Sequence, residues 1–188
     1  MNRQLDMKKQ VEEFHNQLDS SATEVFDFFI CFSKFECALK QAGYYHWNER
    51  HKKLSPDWKT FTKDIASEFD KDSERRERIL DEAIKYFQDH PPQKQTRKEG
   101  QVDWKDVPYD NGPLLEWLVD AIKRVRNNLF HGGKYPYSDL QEPARNPSLL
   151  NYSLTILQES LALCGSEKLS EVVRNKTQRV RESFEEPI

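Results

Sequence analysis

An arginine and a histidine stand five residues apart in Arg126-Asn127-Asn128-Leu129-Phe130-His131, and Gly132-Gly133-Lys134 come directly after. These residue types can handle a phosphodiester. Histidine, with a reference pKa of about 6.5, takes or gives a proton near neutral pH. Arginine offers a planar fork of donors that matches phosphate oxygens. Asn127 is placed to orient the imidazole or to bond the same phosphate. The two glycines permit a left-handed helix stop and close approach of a strand to the backbone. Lys134 adds a positive charge of the kind that meets nucleic-acid backbones.

The same residues have a plainer reading. Cations near a helix C-terminus complement its dipole, and Gly-Gly is a common cap. The placement of the motif on its helix separates the two. On a wheel of about 100° per residue, Leu115, Leu118, Ile122, Val125 and Leu129 centre the apolar face of a helix from about 113 to 131. Arg126 falls about 40° from that centre, while Asn127 and His131, four apart, lie together about 140–180° away. Arg126 is therefore rooted at the core edge, and the Asn–His pair faces outward.

A second stripe, Val25, Phe28, Phe32, Phe35 and Leu39, occupies a helix from about Ala22 to Ala42 that ends at Gly43. Glu36 sits about 40° from its centre by the same arithmetic. Each stripe thus carries one charge, and the charges are opposite. A lone buried charge costs several kcal/mol, so Glu36 and Arg126 are expected to meet, or each to meet a close substitute, and a Glu36 partner would orient the guanidinium. The alternative is an Arg126 whose stem runs along apolar surface to solvent.

Other helices are expected at 5–19, from Ser55-Pro56 onward with Ser55 as cap, at about 73–88, at 148–164 and, more weakly, at 166–184. Trp58, Phe61, Ile65 and Phe69 share a face of the third, and Ile79, Leu80, Ala83 and Phe87 a face of the fourth. Leu149, Leu150, Leu154, Leu157, Leu161 and Cys164 line the sixth, and Leu169, Val172, Val173 and Val180 the last. No convincing strand appears, and 89–112 and 132–147 read as long mobile loops. The fold class is an all-α bundle of six to seven helices in a single domain, 1–188.

Of the 188 residues, 32% are charged and 12% aromatic, including 11 Phe, which suits a dense aromatic core under a charged surface. The net charge of −3 gives no global pull toward nucleic acid or anionic membrane, so any such contact needs a local basic patch. Cys31, Cys37 and Cys164 form no CxxC pair, which favours a reducing cytosol. Cys31 and Cys37 read as core fillers. No signal peptide or membrane span is expected. His46, Glu49 and His51 lack a further ligand at metal spacing, and there is no glycine-rich phosphate loop or hydrolase elbow. Neither metal nor cofactor is expected. Trp47, Trp58 and Trp104 read as core or loop anchors before base-stacking surfaces.

The Arg126–His131 motif, with a polar residue directly after the Arg, at the end of an apolar helix in an all-α chain, resembles the HEPN superfamily. Gly132-Gly133-Lys134 is similar to the residues that succeed the histidine in many members, and residues 32–40 resemble the first core helix of some. The likeness spans most of the chain in architecture but about nine residues as a motif. It implies a four-helix core and a metal-independent endoribonuclease whose catalytic residues are Arg126, Asn127 and His131. It further implies a homodimer in which two motifs share one cleft, a cytoplasmic toxin or anti-phage effector, and an antitoxin or regulatory partner.

Cleavage by the 2′-hydroxyl needs one base and one acid. A single chain supplies one His here, and a dimer supplies two. Lys134, with Lys94, Arg97 and Lys98, is expected to contact the RNA backbone. One subset of the family carries a Tyr two residues after the His, linked to control by a nucleotidyltransferase. Here that position is Gly133, so that control is not expected. The alternative function is a non-catalytic HEPN-like module that binds nucleotide or protein.

Overall fold

The computed structural model describes residues 22–71, 78–130 and 145–187. The expected helix 5–19, His131, Gly132, Gly133 and Lys134, and the expected loop 132–147 up to residue 144, lie outside them. Six helices and two β-hairpins follow in the order α1 (Ala22–Gln41), β1 (Tyr45–Asn48), β2 (Lys53–Pro56), α2 (Trp58–Lys71), α3 (Arg78–Asp89), β3 (Lys94–Lys98), β4 (Gln101–Lys105), α4 (Leu114–Phe130), α5 (Arg145–Ala162) and α6 (Glu171–Glu185). The chain is mainly helical, as its stripes require, but not all-α.

α1 forms because aromatic and aliphatic residues recur at three- and four-residue spacing, and Phe28, Phe32, Phe35 and Leu39 are all buried. It stops at Gly43, whose φ of 87° lies in the left-handed region. The Gly43 amide donates to Lys40 O and the Tyr44 amide to Leu39 O, which is the paired closure of a Schellman cap. α1 packs along α6 and α5, α2 along α4, and α3 along α5. α6 therefore belongs to the bundle: Phe184 meets Phe35 edge-on, Lys34 Nζ donates to Glu186 O, and Lys176 lies over the Tyr44 ring. The buried side chains join in one continuous core.

The two hairpins correct the expectation of an unstructured 89–112 and of a chain without strands. β1 and β2 pair antiparallel with Trp47 opposite Leu54, and β3 and β4 pair with Thr96 opposite Asp103. The second turns through Glu99 and Gly100, both at positive φ, as a tight two-residue hairpin loop demands. The residues at 145–147, expected as loop, form the first turn of α5. Pro147 fits there because the early amides of a helix have no internal acceptor.

Three further expectations change. Ser55 and Pro56 close β2, and Asp57 caps α2 instead: its carboxylate accepts from the Thr60 amide at 3.0 Å and from the Thr60 hydroxyl at 2.7 Å. Cys37 is exposed rather than a core filler. Val172 and Ile79 face solvent, since Val180 and Thr177 bury α6, and Leu80, Ala83, Ile84 and Phe87 bury α3.

Burial opposes ionisation of Asp57, but the Thr60 hydroxyl and amide and the His46 ring outweigh it and hold its pKa below the ordinary value. A depressed folded-state pKa contributes stability above the unfolded value, about 4 for Asp, and loses it as pH falls through the folded value. Asp57→Ala is expected to cost about 1 kcal/mol at pH 7, read as a fall in Tm of about 3 °C. Thermal melts in acid test the linkage: the gap between wild type and variant is expected to narrow below about pH 4, and an unchanged gap would rule out the charged cap.

Candidate functional site

The site is built from the last two turns of α4. Leu115, Leu118, Ile122 and Val125 are buried, which fixes the rotation of the helix. Arg126 is half-buried at the edge of that face and Asn127 is exposed, where the wheel places them. Arg126 Nη1 donates to Asn127 Oδ1 at 3.0 Å, and its guanidinium carbon stands 5.8 Å from the centre of the Phe32 ring on α1. That contact is within cation–π range. The planar fork and the adjacent amide are thus held together on one turn.

Glu36 does not perform the expected role. Its Oε1 accepts a long hydrogen bond, 3.4 Å, from the Trp58 indole N–H. Among the described residues no ion pair joins Glu36 to Arg126. The physical reason is the packing partner. α1 runs along α5 and α6 while α4 runs along α2, so the two helices meet through the Phe32 ring and not flank to flank. Glu36 and Arg126 both keep part of their surface in solvent, which reduces the cost that made pairing compelling.

The other flank of the same turns carries residues that the motif did not suggest. Arg124 Nε donates to Pro92 O at 3.2 Å, and Asn128 Nδ2 donates to Gln93 O at 2.8 Å. These residues are four apart, so they lie together on a helix. Both grip the backbone that enters β3, and Gln93 Nε2 closes the base of the hairpin on Asp106. Burial lowers the pKa of Arg124, with Asp120 opposing. Asn128, inside the motif, is therefore a hairpin anchor. The signal available in the sequence was the spacing of Arg124 and Asn128, but it had no partner while 89–112 read as loop.

Lys94, Arg97 and Lys98 all lie exposed on β3, beside the motif helix. Alternation along the strand divides them. Lys94 and Lys98 share a face with Lys105, the residue opposite Lys94, while Arg97 shares the other with Val102 and Trp104. Trp58 is a core ring, buried and stacked on Phe35 and Phe32 at 5.1 and 5.6 Å. Burial pushes the Cys31 thiol up to about 11 and the Cys164 thiol up to about 12, which leaves both poor nucleophiles. His46 Nε2 lies 3.1 Å from Asp57 Oδ1, so that imidazole has a structural partner.

No described helix is long and apolar enough to cross a membrane. Comparison with family models, with curated proteins and with solved structures returns no match.

The anchoring of the hairpin can be tested directly. Asn128→Ala removes one hydrogen bond worth about 1 kcal/mol. Amides of β3 and β4 are expected to exchange about fivefold faster, while those of α1 stay unchanged. Equal exchange in the hairpin would mean that Asn128 does not hold it.

Proposed function

We propose that this chain is a metal-independent endoribonuclease of the HEPN type. The observation that carries the reading is Arg126: a guanidinium seated against Phe32 and bonded to Asn127, near the end of a helix and five residues before His131 in the sequence. Rigid presentation of a fork of donors is what a phosphate needs when its charge grows in the transition state.

In this reading two copies place their motifs across one cleft. One copy's His131 accepts the proton of the RNA 2′-hydroxyl as that oxygen attacks phosphorus. The second copy's His131 gives a proton to the departing 5′-oxygen. The products are a 2′,3′-cyclic phosphate and a 5′-hydroxyl. Arg126 and Asn127 bind the phosphate oxygens, and Lys134 holds the backbone beyond. Lys94 and Lys98 continue the positive track on the hairpin that Arg124 and Asn128 fix beside α4. A cytoplasmic toxin or anti-phage role, with a neutralising or regulatory partner, rests on the family resemblance alone.

RNA digestion in EDTA tests the proposal. Wild type is expected to cut, and His131→Ala and Arg126→Ala to lose about a hundredfold or more in rate. Arg126→Lys keeps the charge over Phe32 but not the fork, so it separates catalysis from packing. Its expected result is a folded, slow enzyme. Equal cleavage by wild type and His131→Ala would overturn the reading and leave the non-catalytic binding module. Sedimentation adds a second check, because an active strict monomer contradicts the two-histidine site.

A further inference from the structure

We infer that the β1–β2 hairpin is a base-stacking platform for single-stranded nucleic acid. The proposal goes beyond the ribonuclease reading and does not depend on it, since binding at this face needs no cleavage.

Residues directly opposite in a hairpin share a face, as do residues two apart on one strand. Tyr45 faces Pro56 and Trp47 faces Leu54, so these four side chains form one surface. It is not a core surface: Tyr45 and Trp47 are each 47% exposed and Leu54 40%. The two rings are separated by about 7 Å along the strand, far enough for each to take its own base.

Their setting favours stacking over burial. The Trp47 indole N–H donates to Glu49 Oε1 at 2.7 Å, and Glu49 Oε2 takes Lys52 Nζ at 2.8 Å. The one polar group of the indole is thus satisfied within the hairpin, and what remains to offer is its π-face. The chain holds the platform still from below. Tyr44 is buried and donates its hydroxyl to Asp64 at 2.7 Å, the Asp57 amide donates to Tyr44 O, and His46 on the opposite face meets Asp57. A rigid aromatic pair loses little entropy when a ligand arrives.

Charge decides the class of ligand. Residues 45–56 carry Arg50, Lys52 and Lys53 against Glu49 alone, in a chain whose net charge is −3. Lys52 is paired with Glu49, and Lys53, opposite Asn48, lies on the face away from the rings, so Arg50 at the tip and Lys53 behind it leave the hairpin net positive next to two exposed rings. Aromatic faces flanked by cations are how proteins hold single strands without reading sequence, because every base has a π-face. A duplex hides those faces, so the platform takes unpaired strand. An apolar peptide would gain nothing from the cations.

The test uses the full chain and a fluorescent 2′-O-methyl oligouridine of about ten nucleotides, which lacks the free hydroxyl needed for cleavage. Its result is therefore independent of ribonuclease activity, which His131→Ala reports separately. Wild type is expected to bind with strong salt dependence. Trp47→Ala and Tyr45→Ala are each expected to weaken binding about tenfold, while Trp47→Phe stays within about threefold because the face survives. Arg50→Gln with Lys52→Gln is expected to flatten the salt dependence. All these positions are at the surface, and thermal melts are expected to match wild type. The proposal is overturned if wild type does not bind the oligonucleotide, or if Trp47→Ala binds as wild type does. It is equally overturned if Trp47→Ala splits an oligomer on sedimentation while affinity is unchanged, which would make the face a protein interface.

Discussion

The stacking of Trp58 on Phe35 and Phe32 is the contact on which the arrangement turns. Trp58 is the first residue of α2 and comes directly after the β1–β2 hairpin and its Asp57 cap. Phe35 and Phe32 are the middle of α1. Phe61 meets Phe35 edge-on at 5.5 Å and Phe184 meets it at 5.8 Å, which ties α2 and α6 into the same cluster. Each such pair contributes about 0.5–1.5 kcal/mol beyond its burial. The larger effect is geometric. Rings fixed edge-to-face leave one rotation for α1, and that rotation presents Phe32 to Arg126. Trp58 also donates to Glu36, and the cation at the end of α4 meets the Phe32 ring rather than Glu36.

The last turns of α4 then divide their work by angle. Arg124 and Asn128 lie about 40° apart on one flank, and Arg126 lies roughly opposite. One flank is bonded to the backbone entering β3 and the other rests on α1. A helix end held on two sides frays less than one held by its buried stripe alone. Such rigidity is what a catalytic or binding group on that turn would need.

The helical stripes were legible because apolar residues at a period of 3.6 leave few alternatives. Phe28 to Leu39, Trp58 to Phe69 and Leu115 to Val125 are buried as their spacing requires. The hairpins were not legible. β3 reads Lys-Gln-Thr-Arg-Lys, polar on both faces, and the alternation in β4, Gln-Val-Asp-Trp-Lys, rests on only two apolar residues. Only Glu99-Gly100, between flanking Lys98 and Gln101, carried a turn signal. The expected meeting of Glu36 with Arg126 failed for a different reason. A wheel gives the angle of a residue on its own helix, not which helix it will face. Arg126 and Asn127 fell where the wheel put them, whereas Arg124 and Asn128 gained meaning only once β3 had a place.

The distribution of charge pairs adds a last constraint. On the helices, cations sit three or four residues from carboxylates: Arg78 with Glu82, Lys85 with Asp89, Lys123 with Asp120, Arg181 with Glu185. Such pairs neutralise the helical surface locally. The second hairpin is arranged otherwise, with Lys94 directly opposite Lys105 and with Lys98 and a single carboxylate, Asp103, on the same face. Like charges opposed across strands are destabilising by a few tenths of a kcal/mol to about 1. An anion laid along this face would relieve that repulsion, and a polyanion would relieve it at several lysines together. The chain is acidic overall, so the repulsion is local, placed on an element bolted to the motif helix by Arg124 and Asn128. The anchors couple the position of this charged hairpin to the turn that carries Arg126.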